Sequence, residues 1–197
     1  MKLFSLTFIA ILLTTIMMPA YAVADKTDLE SVRRMCTAPD MQDFSVFDQA
    51  LLPGILIEII KKDPESALDH ERVVLSAIKA LGATKVPEAI PVLIEQADKY
   101  PATCVYWLAN YADSSAVACI IKYLYSKDAS VRHEAAEALS RIPAPSKTTT
   151  KEYASILDST LSLVAFMATD EEDKSVVEAL WRATTHLLDI SLQFSMQ

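Results

Sequence analysis

From Val131 onward, apolar residues return at Ala135, Ala138, Leu139 and Ile142, while Arg132, His133, Glu134, Glu137 and Arg141 fill the positions between them. That spacing puts the apolar set on one face of a 3.6-residue helix and the charges on the others. Val73, Val74, Ala77, Ile78 and Leu81 write the same face, ahead of Gly82 in the place where a left-handed helix cap is favoured. Val105, Leu108, Ala109 and Ala112 write it a third time. Between these amphipathic segments lie almost wholly apolar ones, LLPGILIEII at 51–60, IPVLI at 90–94 and VACIIKYL at 117–124. Each precedes an amphipathic segment, so the chain alternates an apolar first helix with an amphipathic second one.

The alternation is a repeat. A shift of 27 residues places Leu81 on Leu108 and also carries Ile90 onto Val117, Leu93 onto Ile120 and Ile94 onto Ile121. A shift of 31 then places Leu108 on Leu139. Two helix types moving together mark an internal repeat, in which each unit buries its apolar face only by stacking on its neighbours. The flanks are weaker. Thr27-Asp28-Leu29-Glu30 has the form of a capping box opening a short helix to about Met35, which suits a terminal cap. A proline, serine and threonine loop follows Ile142. Beyond it, Ile156, Leu157, Thr160, Leu161 and Val164 define one more helix face. After the acidic turn Asp170-Glu171-Glu172-Asp173, Val176, Val177, Leu180, Ala183, Thr184 and Leu187 define another.

At this level the residues resemble a HEAT repeat. Leu51-Leu52-Pro53 and Ile90-Pro91-Val92-Leu93 are similar to that family's first helix, and Asp128, Val131-Arg132, Ala135, Ala136, Ala138 and Leu139 to its second. The resemblance covers roughly residues 48–142 and implies an all-α, right-handed solenoid of about four stacked antiparallel helix pairs. It also implies inter-repeat structural roles for Asp128 and Arg132, and a function in protein recognition. The expected organisation is a leader at 1–22 and one helical domain at 23–197. Within that domain fall a cap (23–47), the clearest repeats (48–142), a loop (143–151) and a diverged last repeat (152–197).

The leader reading comes from Lys2, the apolar run 3–18 and the small-x-small triplet Ala20-Tyr21-Ala22, which together have the form of a secretory signal peptide cleaved after Ala22. The run is shorter than the roughly 20 residues a membrane span needs, so export to the periplasm or cell exterior is expected, with no span after cleavage. Removing 1–22 takes away one lysine and no acid, moving the formal charge from −8 to −9. Such a charge, without a clustered basic face, argues against nucleic acid. Export would allow disulfides, but Cys36, Cys104 and Cys119 are odd in number and fit no zinc spacing. Cys104 and Cys119 read as small buried hydrophobes.

Chemistry is sparse. Only two glycines occur, Gly54 and Gly82, which leaves little for a phosphate loop. His70-Glu71 and His133-Glu134 lack the second histidine of a zinc protease motif and, with His186, read as solvated. Glu171-Glu172 reads as a solvated turn. No catalytic, cofactor or metal site is assigned, and no enzyme is expected.

The aromatics carry more information. Tyr106, Trp107, Asn110 and Tyr111 interrupt the polar side of the middle second helix, with Tyr100, Tyr123 and Tyr125 flanking it. Tyr106 falls opposite Lys79 in one register and Glu137 in the other, so it should face water, whereas Trp107 falls opposite Ala80 and Ala138 and reads as core. Lys79, Tyr106, Asn110, His133, Glu137 and Arg141 are therefore the candidate partner-binding residues. The expected function is an exported protein-protein interaction module. The alternatives are a periplasmic immunity or inhibitor protein, and an envelope enzyme or small-ligand carrier.

Overall fold

The computed structural model describes residues 27–38, 43–145 and 151–195. The leader and residues 146–150 of the loop lie outside the described residues. Among the described residues there are nine α-helices and no strand. They are α1 (Leu29–Thr37), α2 (Leu52–Lys62), α3 (His70–Thr84), α4 (Ala89–Gln96), α5 (Pro101–Leu108), α6 (Ser114–Tyr123), α7 (Ala129–Leu139), α8 (Lys151–Asp170) and α9 (Lys174–Ser195). A single 3-10 turn, Phe44–Val46, precedes α2.

Local chemistry sets where they start. Pro53 and Pro101 stand in the first turns of α2 and α5, where the missing N–H has no partner to lose. Three helices open on the same Asp-x-Ser device. Asp113, Asp128 and Asp173 accept from the backbone N–H of Ser115, Ser130 and Ser175 at 2.8, 2.8 and 2.9 Å, and the serine hydroxyl donates to the same carboxylate. This satisfies first-turn donors that would otherwise be orphaned. At α1 the capping box is displaced by one residue. Asp28, not Thr27, is the N-cap and accepts from Ser31 N–H at 2.9 Å, while Thr27 Oγ1 accepts from Asp48 N–H and ties down the loop before α2.

Packing sorts the helices into two layers. The first helices α2, α4, α6 and α8 touch in chain order, and so do the second helices α3, α5, α7 and α9, each pair also packing within its own repeat. The apolar faces read from periodicity meet at Val73, Val74, Ala77, Ile78, Leu81, Val105, Leu108, Ala135, Ala138 and Leu139, all essentially inaccessible, whereas Ala112, read as part of the same face, lies beyond the end of α5 and is exposed. The fold is an α-solenoid. α1 packs on α3 and α2, taking the second-helix position of a half repeat at one end.

Gly82 departs from the pattern. It does not cap α3, which runs on to Thr84, and the left-handed residue is Lys85 at φ 57°. Gly82 is helical and buried instead, because Trp107 of α5 occupies the space beside it. A Cβ placed at Gly82 would lie 2.5 Å from Trp107 Cβ and 2.7 Å from its Cδ2, with Cγ nearer still. Tyr111, also buried, donates its hydroxyl to the Gly82 carbonyl at 3.5 Å. Tyr111 is therefore core, and it lies beyond the end of α5 rather than on the polar side of a helix.

The two glycines should respond oppositely to alanine. Gly82→Ala forces overpacking against a rigid indole and should destabilise by roughly 1–3 kcal/mol. Gly54 lies in α2, where a methyl group would meet nothing within 4 Å, and Gly54→Ala should stabilise by about 0.5–1 kcal/mol through helix propensity. Urea denaturation of both variants measures the difference, and equal signs would refute the packing role of Gly82.

Candidate functional site

α5 sits centrally in the second-helix layer, between α3 and α7, and carries Trp107 where the neighbouring repeats carry Ala80 and Ala138. With Trp107 seated on Gly82, its indole is half-buried, and Tyr106 stands beside it 43% exposed. The two rings meet edge to face, centroids 5.1 Å apart at 80°. Lys79 of α3, Ala102, Thr103, Tyr106 and Trp107 of α5, and Glu134 of α7 line an open groove of about 410 Å³ across three successive repeats.

Arg141 closes one side. Its guanidinium lies 4.1 Å from the Tyr106 ring centroid, in cation–π geometry, and its Nε donates to the Glu137 carbonyl at 3.2 Å. The Glu137 carboxylate pairs with Arg182 of α9, and His133 Nε2 lies 3.9 Å from it. The fold thus brings Lys79, Tyr106, His133, Glu137 and Arg141 onto one continuous surface. Asn110 does not join the groove. It is half-buried in the turn after α5, where its N–H donates to the Trp107 carbonyl. Lys79 and Arg141 set two cations around an aromatic pair, in a chain of net charge −8.

Tyr100 and Tyr123 lie elsewhere, buried at the edge formed by the turns within each repeat, and Tyr125 is exposed there. This edge carries the polar ties between repeats. Lys99 reaches Glu65 at 3.6 Å, and Asp98 accepts from Lys122 at 2.6 Å and from the Tyr123 hydroxyl at 2.8 Å. Arg132 binds both oxygens of Glu171 at 2.8 Å and donates to the Ser126 carbonyl at 2.9 Å. The two residues suggested as inter-repeat ties thus part company, Arg132 reaching the next repeat while Asp128 caps its own helix.

Glu171 corrects the reading of its turn. Its side chain is only 10% exposed, and the hydrogen bonds from Arg132 hold its carboxyl below the usual glutamate range. Local sequence could not show this, because the partner lies 39 residues away. The histidines need a similar correction. His70 Nδ1 is 3.0 Å from Asp63, whose carboxylate is 1% exposed and is also held by Arg33 at 2.6 Å, so His70 belongs to a knot joining α1, α2 and α3. His186 Nε2 meets the Ile142 carbonyl at 2.8 Å. All three cysteines are buried, and burial pushes the thiols of Cys36 and Cys104 up to about 12, far from reactive thiolate character.

Among the described residues no helix is long and apolar enough to cross a membrane, and no cluster of metal-ligating side chains occurs. Residues 73–98 match the PBS lyase HEAT-like repeat. The chain carries a HEAT-like repeat. The match runs from the body of α3 through α4, the stretch at which the 27-residue period begins, and it bears out the resemblance carried by the residues. No curated protein and no solved structure matches the chain. In this HEAT-like array the groove lies on the second-helix layer, across the seams between repeats.

The Arg132–Glu171 tie makes a pH prediction. Because the folded carboxyl is held below its ordinary value of 4.5, its contribution is present above that value and is lost as pH falls through the lower, folded one. Glu171→Gln should cost roughly 1.5–3 kcal/mol at pH 7. Between neutral pH and pH 3 the variant should also lose less stability than the parent. Chemical denaturation across that range tests both, and identical pH profiles would rule out the tie.

Proposed function

We propose that the protein is an exported interaction module that binds another protein through the face of its second helices, at the groove between α3, α5 and α7. The observation that carries this reading is the Tyr106–Trp107 pair. The two aromatics sit in an open groove flanked by Lys79, Glu134 and Arg141, not in an enclosed pocket with convergent polar groups. Exposed aromatics bring large, rigid contact area with a hydrogen-bonding tip, and interface hot spots are enriched in tyrosine, tryptophan and arginine. HEAT-like repeats generally supply such surfaces by stacking. The mode of action is recognition without chemistry, with Tyr106 as anchor and Arg141 fixing its ring.

Tyr106→Ala should leave stability within about half a kcal/mol, as for a surface change, and should abolish capture of the partner. Leu108→Ala and Leu139→Ala, both fully buried, should cost roughly 2–5 kcal/mol through cavity formation. Crosslinking pull-down from the native envelope, with parent and Tyr106→Ala side by side, identifies the partner and tests the anchor together. A partner captured equally by both would displace the groove as the binding site.

Export rests on the leader sequence. Intact mass of the protein from the exported fraction should correspond to a chain beginning at Val23. A soluble cytoplasmic pool retaining Met1 would overturn this part of the reading.

A further inference from the structure

The last described second helix repeats the pattern of those before it. A shift of 45 residues places Asp173 on Asp128, Val176 on Val131, Leu180 on Ala135, Ala183 on Ala138 and Leu187 on Ile142, with the same Asp-x-Ser cap at both starts. In that register Trp181 corresponds to Ala136, Val105 and Ile78, and Thr185 to Ser140, Ala109 and Gly82. The earlier residues are covered within the array: Ile78, Val105 and Ala136 are wholly inaccessible, and Gly82 is where the next repeat seats Trp107. Trp181, by contrast, is 50% exposed. Leu188 and Leu192, two and three turns further along the same face, are comparably exposed. The stacking surface of the array is therefore written on α9 and open to solvent, while α9 itself packs on α8 and α7.

We propose that this face binds a second copy of the chain, with α9 lying antiparallel against α9 of its twin about a twofold axis between His186 and Leu187. The spacing of the stripe is self-complementary, as an isologous interface requires. About that axis Trp181 faces the twin's Leu192, and Thr185 faces the twin's Leu188. The charges agree with the same axis. Arg182 and Asp189 share one flank of the helix and line a depression of about 710 Å³ together with Trp181 and Thr185. A twofold perpendicular to the helices keeps that flank on the same side in both copies, which brings each Arg182, paired with Glu137 in its own chain, within reach of the other copy's Asp189 as well. Bulk apolar area at the centre, with paired charges at the edge, is the anatomy of a specific interface. The stripe spans about 16 Å at 1.5 Å per residue, so the dimer is of the small, exchanging kind.

Sedimentation equilibrium of the 197-residue protein over about 1 to 200 μM, a range suited to a weak dimer, should show a rise from one to two chain masses. Trp181 is one of only two tryptophans, and its emission should shift to the blue over the same range. Trp181→Glu and Leu188→Glu should each weaken association at least tenfold with the far-UV circular dichroism unchanged, whereas Tyr106→Ala should leave it intact. Arg182→Asp and Asp189→Arg should each dimerise poorly alone. Mixed together they should form a heterodimer, since both crossed pairs are then complementary, a recovery that loss of folding cannot produce. A monomer throughout the range, a dimer indifferent to Trp181→Glu and Leu188→Glu, or a mixture that fails to recover would each overturn the proposal.

Discussion

The structure depends on one recurring contact, the stacking of each second helix on the next. A single pair of helices of 8 to 15 residues cannot bury both its own interface and the flank it turns to its neighbour, so each repeat is completed by the one beside it. At one contact, Trp107 against Gly82, the neighbouring helix gives up its side chain to admit an indole. Polar ties reinforce the same contacts from the turn edge, and one of them, Arg132 on Glu171, is bidentate, so that geometry as well as charge fixes how the last pair sits.

That packing also creates the candidate site. At the position of Trp107 the other second helices carry alanine, and one large residue in such a place must either displace the neighbour or find a gap. Gly82 supplies the gap, the indole lies down into it, and the adjacent Tyr106 is propped at the surface with Trp107 against its edge and Arg141 over its face. The groove and the stacking are thus one feature seen from two sides, and Trp107 serves both. Tyr106 stands outside the stack that its neighbour Trp107 joins, exposed where the indole is seated.

The two ends of the array are finished differently. At the first, α1 occupies the place of a second helix, and its Arg33 locks the buried Asp63 together with His70, so the end is held by charge as well as apolar burial. At the other, the register that buries Ile78, Val105 and Ala136 continues into an exposed tryptophan. Repeats are built alike, but the face that an inner repeat buries becomes a surface wherever the described stack stops.

The sequence by itself determined the helical class, the alternation of helix types, the period and the core faces, because a 3.6-residue spacing and a repeat shift are properties of neighbours along the chain. It also marked Tyr106 as a solvent position, since its equivalents Lys79 and Glu137 are charged. Tertiary structure decided what depends on residues far apart. The purpose of Gly82 rests on an indole 25 positions later, and a glycine near a helix end is read as a cap when that indole is out of view. Glu171 and His70 pass for solvated residues until Arg132, Asp63 and Arg33 are brought beside them. Whether an amphipathic face is buried or open is likewise invisible to periodicity, which reports that a face is apolar and leaves to packing whether anything covers it.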